Sequence, residues 1–165
     1  MSFEAKNFDG LIGTSGFSEI MLKNHFTLYQ GYVKNVNTLL EQGDPGRRFG
    51  WEFNGMRLHE LYFENMRNGG AGSPPDQIAP LMDAFKTIGM MRGIGWVVLY
   101  LDRQSGKLLN VWINEHDVGH LAGCTPLLVM DVFEHAYMTD YGIKRADYIS
   151  AFMNAIDWNV VSSRL

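Results

Sequence analysis

The spacing of apolar residues changes once along this chain, and that change sets the class of fold. From about 18 to 42, Ile20, Met21, Phe26, Leu28, Tyr29, Tyr32, Val33, Val36, Leu39 and Leu40 recur near the 3.6-residue period of a helix. Gly43, Asp44, Pro45 and Gly46 form a stop. A second helix is expected to begin within 49–54 and to run to about Arg67. Beyond 94 the pattern is extended: Gly-Trp-Val-Val-Leu-Tyr-Leu at 95–101 is β-branched, aromatic and apolar. A turn over 102–107 and a return strand over 108–114 complete a hairpin. A loop over 115–125 and a short apolar run over 126–130 follow, and then helical patterns over 133–141 and 146–158. Helices, a small sheet and helices again describe an α+β fold. The expected architecture is an N-terminal two-helix hairpin packed on a C-terminal domain of helices and a small antiparallel sheet. The stretch 68–75, Asn-Gly-Gly-Ala-Gly-Ser-Pro-Pro, is the natural divide, so the halves are read as 1–70 and 71–165. Asp76 is expected to cap a helix through about 90.

Composition narrows the function. The formal net charge is −4 and no run of Lys or Arg occurs, which argues against nucleic acid as a partner. Only Arg47 and Arg48 stand together. One cysteine, Cys124, cannot form an internal disulfide, so a reducing compartment is expected. The first residues lack the basic and apolar blocks of a signal peptide. No stretch reaches the roughly 20 apolar residues of a membrane span. The expected location is the cytoplasm, with no membrane association.

Chemistry is sought among the five histidines, His25, His59, His116, His120 and His135. Asp131 follows an apolar run that reads as buried, and a buried carboxylate needs a partner charge or a metal. With Asp131 ending a strand and His135 on the first turn of the next helix, both can face one point. Nitrogen and carboxylate oxygen together suit iron, manganese or zinc. A structural Asp–His hydrogen bond fits the same spacing. Tyr32 follows His25 by seven residues and returns to nearly the same helix face, where it could also merely line the core. His59 sits among Leu58, Leu61, Tyr62 and Phe63, and a buried imidazole needs partners at both nitrogens.

Together these segments resemble one family. Asp-Val-Phe-Glu-His-Ala-Tyr at 131–137 is similar to the Asp-Val-Trp-Glu-His-Ala-Tyr signature of iron/manganese superoxide dismutases. Lys-Arg-Ala-Asp-Tyr-Ile-Ser-Ala-Phe-Met-Asn-Ala-Ile-Asp-Trp at 144–158 resembles that family's C-terminal helix, and 24–37 and 53–66 resemble its two N-terminal ligand helices. The resemblance covers the chain from about 17 onward. It implies one iron or manganese ion per subunit, held by His25, His59, Asp131 and His135, and dismutation of superoxide in a homodimer. Tyr32 falls on the tyrosine that guards the substrate channel and relays protons. Trp96 and Phe133 fall on aromatic walls of the metal pocket. His116 falls where many members have a glutamine that hydrogen-bonds the metal-bound solvent, with Gly55 leaving room opposite. Glu134 falls on the glutamate that reaches His135 of the other subunit. Lys23, Lys34 and Arg145 are candidates for guiding an anion.

The chain departs from the family pattern at three places. The family sets its first ligand eight residues before the channel tyrosine, which here is Asn24, and accommodates the extra residue with a bulge. An unbroken helix with His25 as ligand is expected instead, Asn being a poor ligand. The family's polar pair across the dimer is replaced by Leu28 and Met138, which points to a repacked contact. His116 replaces glutamine, which leaves the choice of metal open and brings in a ring expected to titrate in the physiological range. Two rival readings remain: a non-haem oxygenase or hydrolase-like metalloenzyme, with His116 and His120 as a separate ligand pair, and a non-catalytic relative that binds metal for stability.

Overall fold

The computed structural model describes residues 2–43 and 46–165. Helix α1 (Glu19–Gln42) starts where the Ser18 side chain accepts the Met21 N–H, a cap that contributes about 1 kcal/mol. It ends at Gly43, whose φ of 66° lets its N–H reach the Leu39 and Leu40 carbonyls. Asp44 and Pro45 of the expected stop lie outside the described residues. Between its caps α1 is α-helical throughout, with no bulge between His25 and Tyr32. Its buried face carries Met21, Leu22, Phe26, Tyr29, Val33, Val36 and Leu39. Helix α2 (Arg47–Glu64) packs against it and starts and ends a few residues earlier than the sequence pattern suggests.

Residues 68–75 are irregular, as expected, but they are tied down: Ala71 bridges to Asp157, and its N–H donates to the Ile156 carbonyl. Asp76 caps no helix. Pro80, which lacks an N–H, sits in a 3-10 turn (Ala79–Leu81), and α3 is confined to Met82–Gly89. Strands β1 (Gly95–Asp102), β2 (Lys107–Asn114) and β3 (Cys124–Asp131) form an antiparallel sheet in the order β2-β1-β3. The central strand is buried from Gly95 to Tyr100, which explains its unbroken apolar run. β3 starts two residues before the expected apolar run, and its register shifts opposite Leu99 and Tyr100. Trp96 pairs with Asp131 in that ladder, so the strand end carrying the carboxylate lies beside the indole.

The two C-terminal helical patterns are each divided. Residues 133–141 form a 3-10 turn (Glu134–Ala136) and a short α4 (Met138–Tyr141), separated by Tyr137 at φ −143°. The last pattern becomes α5 (Arg145–Ala155) and α6 (Trp158–Ser163). Ile156 leaves helical geometry to bridge with Met66, and the Asp157 side chain caps α6 by accepting the Asn159 N–H. Among the described residues no helix is long and apolar enough to cross a membrane.

Candidate metal centre

Four segments bring one donor each to a single point. Two turns of unbroken α1 place His25 and Tyr32 on its inner face, with His25 buried and Asn24 exposed. His59 comes from α2, Asp131 from the end of β3, and His135 from the 3-10 turn after it. One ligand atom from each lies within 4.8 Å of the others. Asp131 Oδ2 is the hub: the Nε2 atoms of His25, His59 and His135 stand 3.2, 3.7 and 3.0 Å from it. The other carboxylate oxygen is held by the Phe133 N–H at 2.8 Å. Tyr148 donates to the Asp131 carbonyl and Asn65 to that of Val129, which fixes the strand end. His25, His59 and Asp131 are buried, whereas the His135 side chain is 28% exposed, so the cluster opens on that side.

The donor set fits a metal ion, and His59 carries the test. Its Nδ1 lies 2.6 Å from the Gly55 carbonyl, which can only accept, so the ring proton sits on Nδ1. Nε2 is then a bare lone pair, buried without a hydrogen-bond partner and aimed into the cluster. Such an orphan is costly unless something binds it. Burial lowers the pKa of His25 and, further, of His59, so both stay neutral. At Asp131 burial works upward, but the adjacent His135 and His25 outweigh it and hold the carboxyl well below its ordinary range. Three imidazoles and one ionised carboxylate suit an iron or manganese ion.

The pocket wall is aromatic. The Trp96 ring meets His59 edge-on at 4.9 Å, and Phe133 stacks on His135 at 5.1 Å and on His116 at 4.8 Å. His116 is fully buried, with Trp96 Nε1 donating to its Nδ1 at 3.0 Å and the Tyr32 hydroxyl 2.8 Å from its Nε2. An indole N–H only donates, so a neutral His116 carries its proton on Nε2 and gives it to the Tyr32 oxygen. The resemblance implies a His116 proton aimed at solvent on the metal; this geometry commits it to Tyr32 and leaves the tyrosine's own proton free. The space beside Gly55 also has another occupant: a Cβ there would lie 2.7 Å from the Tyr32 ring, so tyrosine fills the room expected for His116.

His116 and His120 are not a ligand pair. His120 Nε2 reaches the His116 backbone carbonyl at 2.8 Å, and neither ring joins the donor cluster. Glu134 is exposed beside the open edge. Of the cations expected to guide an anion, Lys34 is exposed, Lys23 pairs with Glu19, and Arg145 donates to the carbonyls of Met91 and Gly93 and to the Tyr137 hydroxyl. Sequence reasoning missed Trp51, whose ring lies 4.5 Å from His116 and 5.6 Å from Tyr32. One turn before Gly55 on the same helix face, its position was the available signal.

Comparison with known proteins gives the chain its relatives. The model of the iron/manganese superoxide dismutase C-terminal domain matches residues 76–164. The chain is 35% identical to the superoxide dismutase [Fe] of Saccharolobus solfataricus, over 83% of this chain and 79% of the relative. It is 32% identical to superoxide dismutase [Mn] 2 of Haloferax volcanii, over 88% and 85%. It is also 32% identical to the superoxide dismutase [Fe] of Cupriavidus metallidurans, over 91% and 89%. The chain belongs to the iron/manganese superoxide dismutase family. Its relatives carry both metals in their names, so membership does not choose between iron and manganese.

Within this family the His116 ring makes acid behaviour testable. Burial pushes its pKa down from 6.5 to about 4, so the ring is neutral in the physiological range, contrary to the expectation that it would titrate there. With the folded pKa depressed, the unfolded chain takes up the proton first as pH falls. The contribution to stability is complete above 6.5 and is lost as pH drops through about 4. Between those values the melting temperature of the parent should fall more steeply than that of His116→Gln. Parallel curves would reject the assignment.

Proposed function

We propose that this chain is a superoxide dismutase acting at one iron or manganese ion per subunit, with His25, His59, Asp131 and His135 as ligands. The observation that carries the reading is the buried four-donor cluster with the unpartnered His59 Nε2 at its centre, in a chain of this family. The reaction converts two superoxide ions and two protons into oxygen and hydrogen peroxide. The metal supplies the one-electron exchange when bound. Asp131 contributes the one negative charge of the donor set, and the neutral imidazoles contribute lone pairs. Tyr32 holds a proton that it can deliver into the pocket, because its oxygen already accepts from His116. Burial raises the pKa of the Tyr32 hydroxyl, which keeps that proton in place until something in the pocket takes it. Activity measured per bound metal after reconstitution with iron and with manganese separately tests the reading. Full occupancy without turnover by either metal would leave only a metal-binding relative.

The working unit is a homodimer closed over the open side of the site. Glu134, next in the chain to the partly exposed His135, lines one depression with Met90, Met91, Met138 and Ile143, which are 50, 49, 48 and 93% exposed. A twofold axis here covers this apolar surface and lets each Glu134 reach the partner's ligand histidine. Leu28 and Met138 then repack the contact without a polar pair. Glu134→Ala should sediment as a weakened dimer or lose metal; an unchanged dimer with full activity would refute the role. The single cysteine and the acidic net charge are in keeping with a cytoplasmic protein that binds neither nucleic acid nor membrane. Residues 1–70 supply the ligands His25 and His59, together with Tyr32, and 71–165 supply Asp131 and His135, so the metal would join the two halves.

A further inference from the structure

Two residues of β1 each hold one histidine of the loop that follows β2. Trp96 and Tyr100 are four apart, so they project from the same face of the strand. The indole of Trp96 donates to His116 Nδ1, and the Tyr100 hydroxyl lies 2.9 Å from His120 Nδ1. His120 in turn reaches the His116 carbonyl through Nε2 at 2.8 Å. Both tautomers are set by partners with a single role. The carbonyl only accepts, so a neutral His120 is protonated on Nε2, and Tyr100 then donates to Nδ1. Tyr100 is buried and His120 half-buried, so an unmade bond at either would leave a poorly solvated polar atom.

The loop needs such a clamp. Glu115, immediately before His116, has φ +50°, a left-handed conformation unfavourable for a residue with a side chain. Its N–H reaches the Ile94 carbonyl and its carboxylate accepts from Trp51 Nε1, each at 3.2 Å. These bonds hold the chain before His116. Asn114 and Val118 exchange backbone bonds on either side of it, but His120 alone among the described side chains grips the His116 peptide itself.

We infer that His120, seated by Tyr100, is a positioning residue for His116: it fixes the peptide carrying that ring, and so keeps the single His116 proton directed at Tyr32. This rests on the dismutase reading only for its consequence in turnover; the positioning itself concerns residues of this chain. Full-length protein labelled with nitrogen-15 in histidine, with redox-silent gallium(III) in place of the native metal, reads it directly. The parent should show one His116 tautomer, protonated on Nε2, and slow exchange of the Trp96 indole proton. His120→Ala should mix the two tautomers and speed that exchange about tenfold, and activity per native metal should fall about tenfold. His120→Gln, whose amide can donate to the same carbonyl, should return all three toward parent values. Tyr100→Phe keeps both rings but removes the hydroxyl donor, and should shift tautomer and exchange in the same direction; it carries the test if the alanine variant does not fold. Parent-like tautomer and exchange in His120→Ala and Tyr100→Phe would overturn the inference, as would failure of glutamine to restore them. A fixed His116 tautomer in a parent without dismutase activity would instead overturn the function proposed above.

Discussion

Asp131→Ala should yield a chain that no longer retains its metal, with activity per subunit reduced about 1000-fold, the upper range for losing a preorganised electrostatic group. Asp131 Oδ2 is the one carboxylate oxygen among three Nε2 atoms, at 3.2, 3.7 and 3.0 Å. Without it nothing in the donor set balances a divalent or trivalent cation. Asp131→Asn separates charge from shape: an amide of the same size can keep the Phe133 N–H bond but supplies no charge. Metal content after dialysis and activity are the measurements. A variant that kept a full complement of metal and most of its activity would show that Asp131 is no ligand.

Gly55→Gln should also be damaging, because it overpacks one wall of the candidate metal pocket. A Cβ at 55 would sit 2.7 and 2.8 Å from two carbons of the Tyr32 ring. The ring cannot give way easily: it stacks on His59 at 5.1 Å, meets Trp51 at 5.6 Å and is tied to His116 by its hydroxyl. Overpacking of this kind costs about 1–3 kcal/mol, which for a chain of this size lowers the melting temperature by roughly 3–10 °C. Moving Tyr32 also breaks its bond to His116, so activity should fall by about 10–100-fold. Gly55→Ala isolates the Cβ contact. Parent-like melting and turnover in the alanine variant would show that the ring has room to move.

The fold class and the long elements were legible in the sequence because each rests on a local rule. Period and caps place α1, and a β-branched, aromatic and apolar run followed by a turn places the hairpin. The convergence of His25, His59, Asp131 and His135 was legible in part for the same reason. Seven residues on a straight helix and four across a strand end are short-range geometry, and resemblance supplied the rest. What escaped sequence reasoning depends on distant partners. Ile156 leaves its helix to pair with Met66, and nothing between 146 and 158 announces that. The space beside Gly55 was foreseen, but its occupant is set by how α1 rests on α2. The protonation of His116 follows from an indole twenty residues away in the chain, a relation that no local pattern encodes.

The donors are also widely separated along the chain, His25 and Asp131 by 106 positions. A chain emerging from the ribosome exposes its two helical donors long before the remaining two exist. Contacts of such long range form late and slowly, because the intervening segment must first be ordered. On the proposed function, metal capture would be coupled to completion of the tertiary fold: a half-made or truncated chain has only a pair of imidazoles to offer. An ion retained by all four donors would then be found only on molecules whose fold is finished.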